Sequence, residues 1–362
     1  MKNFNKSVLY TALLSFVLLT SIQGEELQTK ALPSEAKKSF QDQQNRKYIF
    51  SDPNYYTWCP SVIKDNGQYH MFYSRWKKSD GFLGWLRYCE VAHAVADKVE
   101  GPYRYVDTAL KGRGLNSGAW DSITAHNPKI KKFGKKYYLY YISTNGIKDS
   151  DTLRSCNSYG HPKWKILRNN QRTGVAVSKT INGPWKRFDK ALVEPTAPFA
   201  NITVNPAITR GHDGRFYLVI KGDKPGSRQR IQAIASSQRP TGPFVFEKKA
   251  IKDDIDTEDC SIFYDKVQKA YFVTFHAHKY IGLITSKDAK NWQKATPYKI
   301  HPSKNIHFSD GSKIHIDRLE RPFIFTNHKG QASHLFLAAK KGNHSVIITL
   351  PIKVKLASND DL

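Results

Sequence analysis

Apolar strands in pairs, each pair joined by a polar turn, recur along the chain from about residue 50 onward. In "TWCPSVIKDNGQYHMFYSRW", residues 57–76, two β-rich runs flank the turn Asp65-Asn66-Gly67. Such a turn between alternating apolar runs is typical of a β-hairpin. Similar hairpins lie at 125–144, 204–223, 258–278 and 320–340, and each begins with a polar head and ends in an apolar strand. The pattern predicts five repeated hairpins.

A second pair of strands follows each hairpin. In "VEGPYRYVD", "INGPWKRFD" and "PTGPFVFEK" a Gly-Pro-aromatic turn leads into an outer strand, and "IGLITSKDAKNWQKA" and "SVIITLPIKVKL" complete the last two units. Period-2 patterns and this turn chemistry exclude a helical solenoid. Five repeats of four strands predict an all-β fold, a five-bladed β-propeller with four antiparallel strands per blade, over residues 51–362.

Two segments precede the predicted propeller. Residues 1–24 combine basic Lys2 and Lys6 with an apolar run ending in small residues, the pattern of a secretory signal peptide. We therefore expect a periplasmic or extracellular protein; a membrane anchor is the alternative, and no later segment is apolar enough to span a bilayer. Residues 25–50 are polar, with a helix predicted in "SEAKKSFQDQQNRK", and are expected to pack on the propeller rim or to supply a closing strand.

The chain is strongly basic. Its formal net charge is +26, which becomes +24 without Lys2 and Lys6. Such a field attracts polyanions. For an exported protein we expect an acidic or sulfated poly- or oligosaccharide as partner rather than nucleic acid; a generally basic surface is the alternative. The four cysteines lack metal-binding spacing, and export permits disulfides whose pairing stays open.

The heads of the five hairpins define the candidate site. The first strand of each blade lines the central channel of a propeller, so the heads meet at one end of the axis. Burying charged and polar residues on inner strands without partners costs free energy, so their presence there indicates a functional or structural role. A structural hydrogen-bond network is the alternative to a binding site. The head pairs are Trp58-Cys59, His126-Asn127, Val204-Asn205, Glu258-Asp259 and Glu320-Arg321.

Two carboxylates at matching positions on neighbouring blades suit cleavage of a glycosidic bond. Glu258 and Glu320 are the predicted acid/base pair, with Asp259 and Asp121 in reserve. His276 and His278 share a strand face and are candidate metal ligands, but hydrogen bonding is favoured. We expect no catalytic metal or cofactor, although the channel allows a structural Ca²⁺. The residues predicted to bind substrate are Trp58, Arg75, His126, Asn127, Asn205, Lys221, His276, His278 and Arg321.

Three stretches carry a resemblance to a known group. "PSVIKDNGQYHMFYS", "AHNPKIKKFGKKYYLYY" and "LERPFIF" resemble the five-bladed propeller glycoside hydrolases, family 43 and the related families 32 and 117, over about residues 50–355. In that group Asp heads the first two blades and Glu the third, whereas Cys59, Asn127 and Asn205 stand here. "GAWDSITAHNP" is similar to family 117 anhydrogalactosidases, which favours Asp121 or His126. "ERP" is similar to galactan-cleaving members, which favours Glu320.

The prediction is therefore a secreted glycoside hydrolase, exo-acting on an anionic or sulfated, algal-type polysaccharide or its oligosaccharides. The first alternative is a non-catalytic carbohydrate-binding propeller, which the missing Asp at the first two heads favours. The second is a glycoside phosphorylase of the same fold, in which Arg75, Lys221 and Arg321 would form the phosphate site.

Overall fold

The computed structural model describes residues 26–252 and 254–355. The predicted signal peptide, residues 1–24, lies outside them. The described chain begins with β1 (Glu26–Thr29), α1 (Glu35–Gln41) and β2 (Ile49–Phe50). No helix in the described ranges is long and apolar enough to cross a membrane.

Five four-stranded antiparallel sheets follow, which confirms the predicted β-propeller. Blade one contains β3 (Tyr55–Asp65), β4 (Gln68–Lys77), β5 (Glu90–Ala96) and β6 (Arg104–Leu110). Blade two contains β7 (His126–Phe133), β8 (Lys136–Ser143), β9 (Arg172–Ser178) and β10 (Lys186–Arg187). Blade three contains β11 (Val204–Arg210), β12 (Phe216–Asp223), β13 (Arg230–Ser237) and β14 (Val245–Phe246).

Blade four contains β15 (Glu258–Asp265), β16 (Ala270–His276), β17 (Ile281–Ser286) and β18 (Gln293–His301). A small hairpin of β19 (Asn305–His307) and β20 (Lys313–His315) leads to blade five. Blade five contains β21 (Arg318–Thr326), β22 (Ala332–Lys341) and β23 (His344–Lys355). Its fourth strand is β1, which pairs antiparallel with β23, so the two ends of the described chain close the ring.

The second strand of each blade is buried on both faces, which explains why these strands are continuous apolar runs. In β8, Tyr138 and Tyr140 pack into the core shared with blade three, while Leu139 and Tyr141 pack toward blade one. Successive side chains of a strand point to opposite faces of the sheet. Each blade therefore fills two of the inter-blade cores, and the packed ring holds the five heads at one end of the axis.

Short helices interrupt the loops at that end. Two 3-10 turns, Lys78–Asp80 and Phe82–Gly84, precede α2 (Trp85–Tyr88) in blade one. In blade two an insertion, residues 144–171, contains α3 (Ser150–Ser155) and α4 (Trp164–Asn169). The side chain of Asp149 caps α3 by accepting a hydrogen bond from the Thr152 backbone N–H.

Candidate functional site

Every head contains the same backbone irregularity. The register with the second strand shifts after Trp58, His126, Val204, Glu258 and Glu320. The residue that follows each has a positive φ: 49° at Cys59, 50° at Asn127, 55° at Asn205, 62° at Asp259 and 59° at Arg321. Proline follows four of these five residues. Proline has no N–H for the ladder and is suited to a bulge, so a following proline marks four of the five points where a strand bends.

The five positive-φ residues form a ring across the channel, which we call the head ring. Asn127 Nδ2 donates to Asn205 Oδ1 at 2.7 Å, and Asn205 Nδ2 donates to Asp259 Oδ1 at 2.5 Å. Arg321 also donates to Asp259, and Cys59 completes the circle. Non-glycine residues with positive φ are sparsely populated and persist where the surroundings over-determine them. The ring is therefore a rigid floor for the space above it.

A cavity of about 190 Å³ lies above the head ring, and we call it the central pocket. Its walls combine aromatic rings with carboxylates and cations. Of the predicted residues it brings together Trp58, His126, Asn127, Asn205, Lys221, Glu258, Glu320 and Arg321; the further lining residues are Ser74, Trp76, Phe82, Trp85, Cys89, Tyr159, Trp164, Arg168, Gln171, Ile202, Val204, Arg230 and Arg318.

Glu258 is held between two cations. Lys221 Nζ donates to its Oε2 at 2.9 Å, and Arg230 donates to Oε1. Burial by itself would raise the pKa of Glu258, but the charges of Lys221, Arg230 and Arg321 outweigh it and hold the pKa well below the usual range. Arg230 also pairs with Asp256, whose pKa is lowered to about 2. Glu258 is thus a permanent anion at neutral pH.

Glu320 has a weaker set of cationic neighbours. Arg318 Nε donates to its Oε1 at 2.8 Å, but the Arg318 side chain is 45% exposed. Burial raises the pKa of Glu320, and His276, Arg318 and Arg321 lower it to a net value below the usual range. The environments of Glu258 and Glu320 therefore separate their pKa values, with Glu258 the lower.

Beneath Glu320 lies a set of buried groups with unused polar atoms. His276 Nδ1 is 3.8 Å from Asp259 Oδ2, and neither atom has a hydrogen-bond partner among the described residues. Burial raises the pKa of Asp259 against the charge of Arg321, and burial lowers the pKa of His276. A buried carboxyl group and a buried imidazole thus face each other below the central pocket.

These residues are also where a metal ion would find ligands. One ligand atom each of Asp259, His276 and Glu320 lies within 4.8 Å of the others. Carboxylate oxygens and a neutral imidazole form a donor set that accepts a divalent cation, and the unpartnered Asp259 and His276 atoms fit that use. The guanidinium of Arg321 on Asp259 opposes it. The structural Ca²⁺ stays a prediction, and these three side chains are the ones that would hold it.

Arg75 lies away from the central pocket. Its Nε donates to Glu90 at 2.7 Å, and its Nη2 donates to Tyr105 and Thr108 on the outer strand of blade one. Adjacent residues of a strand point to opposite faces, and in β4 Trp76 takes the pocket side. Arg75 therefore links neighbouring strands of blade one and does not line the central pocket.

Asp121 is likewise placed in a structural contact. It is fully buried, accepts a hydrogen bond from Tyr141 Oη at 2.7 Å, and pairs with Arg113 at 2.9 Å and Arg187 at 3.3 Å. None of these four residues lines the central pocket. Two guanidinium groups and a phenol compensate the buried carboxylate and tie the incoming loop to blade two.

The remaining predicted residues lie just outside the pocket wall. Asp259 is in the head ring, below the pocket floor, and His276 stands behind Glu320. His278 is on the rim, with Nε2 2.9 Å from Asp256 and a contact to Arg230, which does line the pocket. Each of the three therefore contacts a residue that lines the pocket.

Several lining residues were missed by the sequence analysis. Arg318 is two residues before Glu320 on β21, so period-2 alternation alone places both on one face. Tyr159 and Arg168 come from the blade-two insertion, where no periodic pattern indicates which side chains face the pocket. Arg168 forms a bidentate pair with Asp223 at the end of β12, which ties the insertion to blade three.

All four cysteines, at positions 59, 89, 156 and 260, are buried free thiols. Cys59 stands at the first head but faces the channel below the central pocket, beside Lys129 and Arg321. Burial raises its pKa, and the thiolate is the reactive form of cysteine. Cys59 is therefore a small, inert side chain in the head ring.

Solved structures of similar shape place this architecture in context. Zg3597, a family 117 glycoside hydrolase produced by the marine bacterium Zobellia galactanivorans, aligns with a TM-score of 0.63 at 15% identity over 93% of each chain. An α-L-arabinofuranosidase from Lactobacillus brevis aligns at 0.56, with 14% identity over 87% of this chain and 94% of that one. The endo-arabinase from Bacteroides thetaiotaomicron aligns at 0.53, with 12% identity over 83% and 95%.

The chain therefore has the fold of the five-bladed propeller glycoside hydrolases, and the predicted resemblance is confirmed at the level of the fold. No protein-family model matches the chain, and no curated protein matches it by sequence.

Proposed function

We propose that the protein is an exported glycoside hydrolase that removes a terminal sugar from an anionic or sulfated poly- or oligosaccharide. The observation that carries the proposal is the meeting of Glu258 and Glu320 in one aromatic-walled pocket above a rigid ring. A concave site with few convergent polar groups and perturbed pKa values is the default active-site candidate. The net charge of the chain and the marine source of Zg3597 support the substrate class.

The shape of the central pocket supports exo-action. Its volume of about 190 Å³ suits a single sugar ring, and residues of the blade-two insertion form part of its wall. Trp85 packs edge to face on Trp164 of the insertion at 6.3 Å and on His126 of the blade-two head at 5.7 Å. These ring contacts hold the insertion against the pocket wall. A chain running through in both directions would need an open cleft.

The separation of the two pKa values supports our assignment of the two roles. Of two carboxylates, the one held ionised serves as nucleophile or base, and the one with the higher pKa serves as acid. Glu258, between Lys221 and Arg230, takes the first role. Glu320 takes the second, because a sugar that displaces water deepens its burial and because exposed Arg318 can swing away. Both changes raise the pKa of Glu320 toward that of a proton donor.

The test compares Glu258→Gln with Glu320→Gln on natural oligosaccharides and on aryl glycosides with a good leaving group. A good leaving group needs no proton, so the acid variant keeps much of its activity on the aryl substrate while losing roughly 100-fold or more on the natural bond. The Glu258 variant loses both activities. The substrates are screened among sulfated galactan, fucan, ulvan and pectin fragments, with and without phosphate to separate hydrolysis from phosphorolysis.

Glu194→Gln is the matched control, because Glu194 is 68% exposed and forms its ion pair with Arg172, which does not line the pocket. Its rates should equal those of the wild type. If Glu320→Gln cleaves natural oligosaccharides at the wild-type rate, the assignment of the acid is wrong.

One observation favours a second candidate, a carbohydrate-binding propeller without catalysis. Both pocket carboxylates are engaged in ion pairs, Glu258 with two cations and Glu320 with Arg318. Binding of an oligosaccharide by wild type and by both Gln variants, with no product from any of them, would establish this function instead.

A further inference from the structure

A second depression lies beside the central pocket on the same face of the propeller. It has a volume of about 620 Å³ and lies between blades one and five, and we call it the rim depression. The start of β3, the loop after β4 and the β22–β23 turn surround it. Each of these points is at the end of the axis where the heads meet. Its lining includes Tyr56, Lys78, Phe82, Lys340, Asp42 and His344.

Phe82 is the wall between the two cavities, since it lines both. Its ring packs against Trp58 of the central pocket at 5.4 Å and against Tyr56 of the rim depression at 5.4 Å. The Arg318 guanidinium is 5.3 Å from the ring, and Lys340 Nζ is 5.2 Å from it. A saccharide with its terminal ring in the central pocket can thus continue over one aromatic side chain into the rim depression.

The cations of the two cavities differ in how they are compensated. Arg168, Lys221, Arg230, Arg318 and Arg321 of the central pocket are each paired with a carboxylate. Across the described ranges, no ion pair involves Lys78 or Lys340. Lys78 donates to the Gln43 amide oxygen at 3.2 Å, and Lys340 donates to the Gly342 carbonyl.

An anionic group therefore gains more in the rim depression than in the central pocket. A bound anion in the central pocket has to compete with a carboxylate already in place. At Lys78 and Lys340 it replaces neutral oxygens, and charge-assisted hydrogen bonds are stronger than neutral ones. Exposed Asp42 is the one carboxylate of the lining, so the two lysines leave the depression net positive.

We propose that the rim depression binds the sugar next to the terminal one, and that Lys78 and Lys340 hold its sulfate or carboxylate group. The inference rests on the proposed function, since it locates the leaving part of the same substrate. Sulfate and carboxylate present the same oxygen-anion chemistry to an ammonium group. The terminal sugar in the central pocket then needs no charge of its own.

The test measures binding by calorimetry with sulfated galactan, fucan, ulvan and pectin tetrasaccharides and with their desulfated or reduced neutral counterparts. The proteins are wild type, the double variant Lys78→Met/Lys340→Met, and Lys341→Met. Lys341 is exposed on the same turn and lines neither cavity. We expect wild type and Lys341→Met to prefer one acidic tetrasaccharide over its neutral counterpart by about tenfold, and the double variant to lose the preference.

Four outcomes separate this inference from the proposed function. If no acidic tetrasaccharide is preferred, or if the double variant keeps the preference, the inference is overturned. Tighter binding of a single-stranded oligonucleotide of equal charge would also overturn it. Lysine-dependent binding without cleavage of any substrate would leave the rim depression standing and remove the hydrolase. Aryl monosaccharides reach only the central pocket, so their hydrolysis should be equal in all three proteins.

Discussion

Buried histidines set one pH limit on this protein. Burial lowers the pKa of His126 to about 3 and the pKa values of His93 and His301 to about 4. An unfolded histidine titrates near 6.5, so between that value and 4 the unfolded chain binds more protons than the folded one. Stability therefore falls as the pH drops through this window. The ion-paired carboxylates Glu258 and Asp256 have lowered pKa values, and their contribution is lost only at more acidic pH, below about 4.

The histidine limit can be tested at His93, which is stacked on Phe72 at 4.5 Å and linked to His70 Nδ1 at 2.9 Å, away from the central pocket. His93→Phe keeps an aromatic ring and removes the titration. We expect the fall in Tm between pH 7 and pH 4.5 to be smaller in the variant, by the equivalent of up to roughly 3 kcal/mol. Calorimetric scans at both pH values give the result. An equal fall in both proteins would show that other groups set the limit.

At the scale of elements, the blade-two insertion has a core of its own. This core contains Leu86 of α2, Leu153 of α3, Cys156 at the end of α3, and Trp164 and Leu167 of α4. Tyr159 lies outside that core: it is 64% exposed, it packs edge to face on Trp164 at 5.1 Å, and it lines the central pocket. Its exposed position at the mouth of the pocket motivates a test of Tyr159 in ligand binding.

Tyr159→Ala should therefore change binding without changing stability. We expect KM for the oligosaccharide substrate to rise roughly tenfold with Tm within about 1 °C of wild type, since surface truncations cost little. Steady-state kinetics and a thermal scan measure the two quantities. Ile166→Ala, at a 42% exposed position of α4 outside the pocket lining, is the control and should alter neither. A fall in Tm with unchanged KM would assign Tyr159 to the fold.

At the scale of the whole molecule, the ring is closed by β1. All four of its residues pair with β23, Leu27 is buried, and Lys30 N–H adds a bond to the Pro351 carbonyl. The closing strand therefore joins the beginning of the described chain to its last strand. Without β1, residues 352–355 of β23 would have no strand partner among the described residues, while β2 would still pair with Ile347 and Ile348. This sheet packs against blades one and four.

Deletion of residues 26–31 should weaken the entire propeller. Loss of the buried Leu27 side chain and of the β1–β23 hydrogen bonds should lower Tm by roughly 5–10 °C. The dependence of activity on pH should not change. Gln28→Ala keeps the strand and alters only an exposed side chain, so its Tm should stay at the wild-type value. Equal Tm values for the deletion and the wild type would show that blade five is stable without β1.

Much of the architecture was predictable because it depends on local patterns. The strands, their pairing within blades and the five heads follow from alternation, from polar turns and from the proline after four of the heads. Trp58, His126, Glu258 and Glu320 were placed in one site because equivalent positions of a repeat must lie at equivalent places around the axis. The sequence could not distinguish Arg75 and Asp121 from these pocket residues. At the end of a strand the sequence does not show which face Arg75 takes, and Asp121 lies in a loop without a periodic pattern.

By itself, then, the sequence determined the propeller, the alternation of side-chain direction along the strands, and the residues at the five heads. Only the tertiary structure decided which cations compensate which carboxylates and that Cys59 faces the channel. Periodicity is a property of neighbours along the chain, whereas charge pairing is a property of neighbours in space. Lys221 on blade three and Glu258 on blade four are 2.9 Å apart and separated by 37 residues, so only the folded ring could bring their charges together.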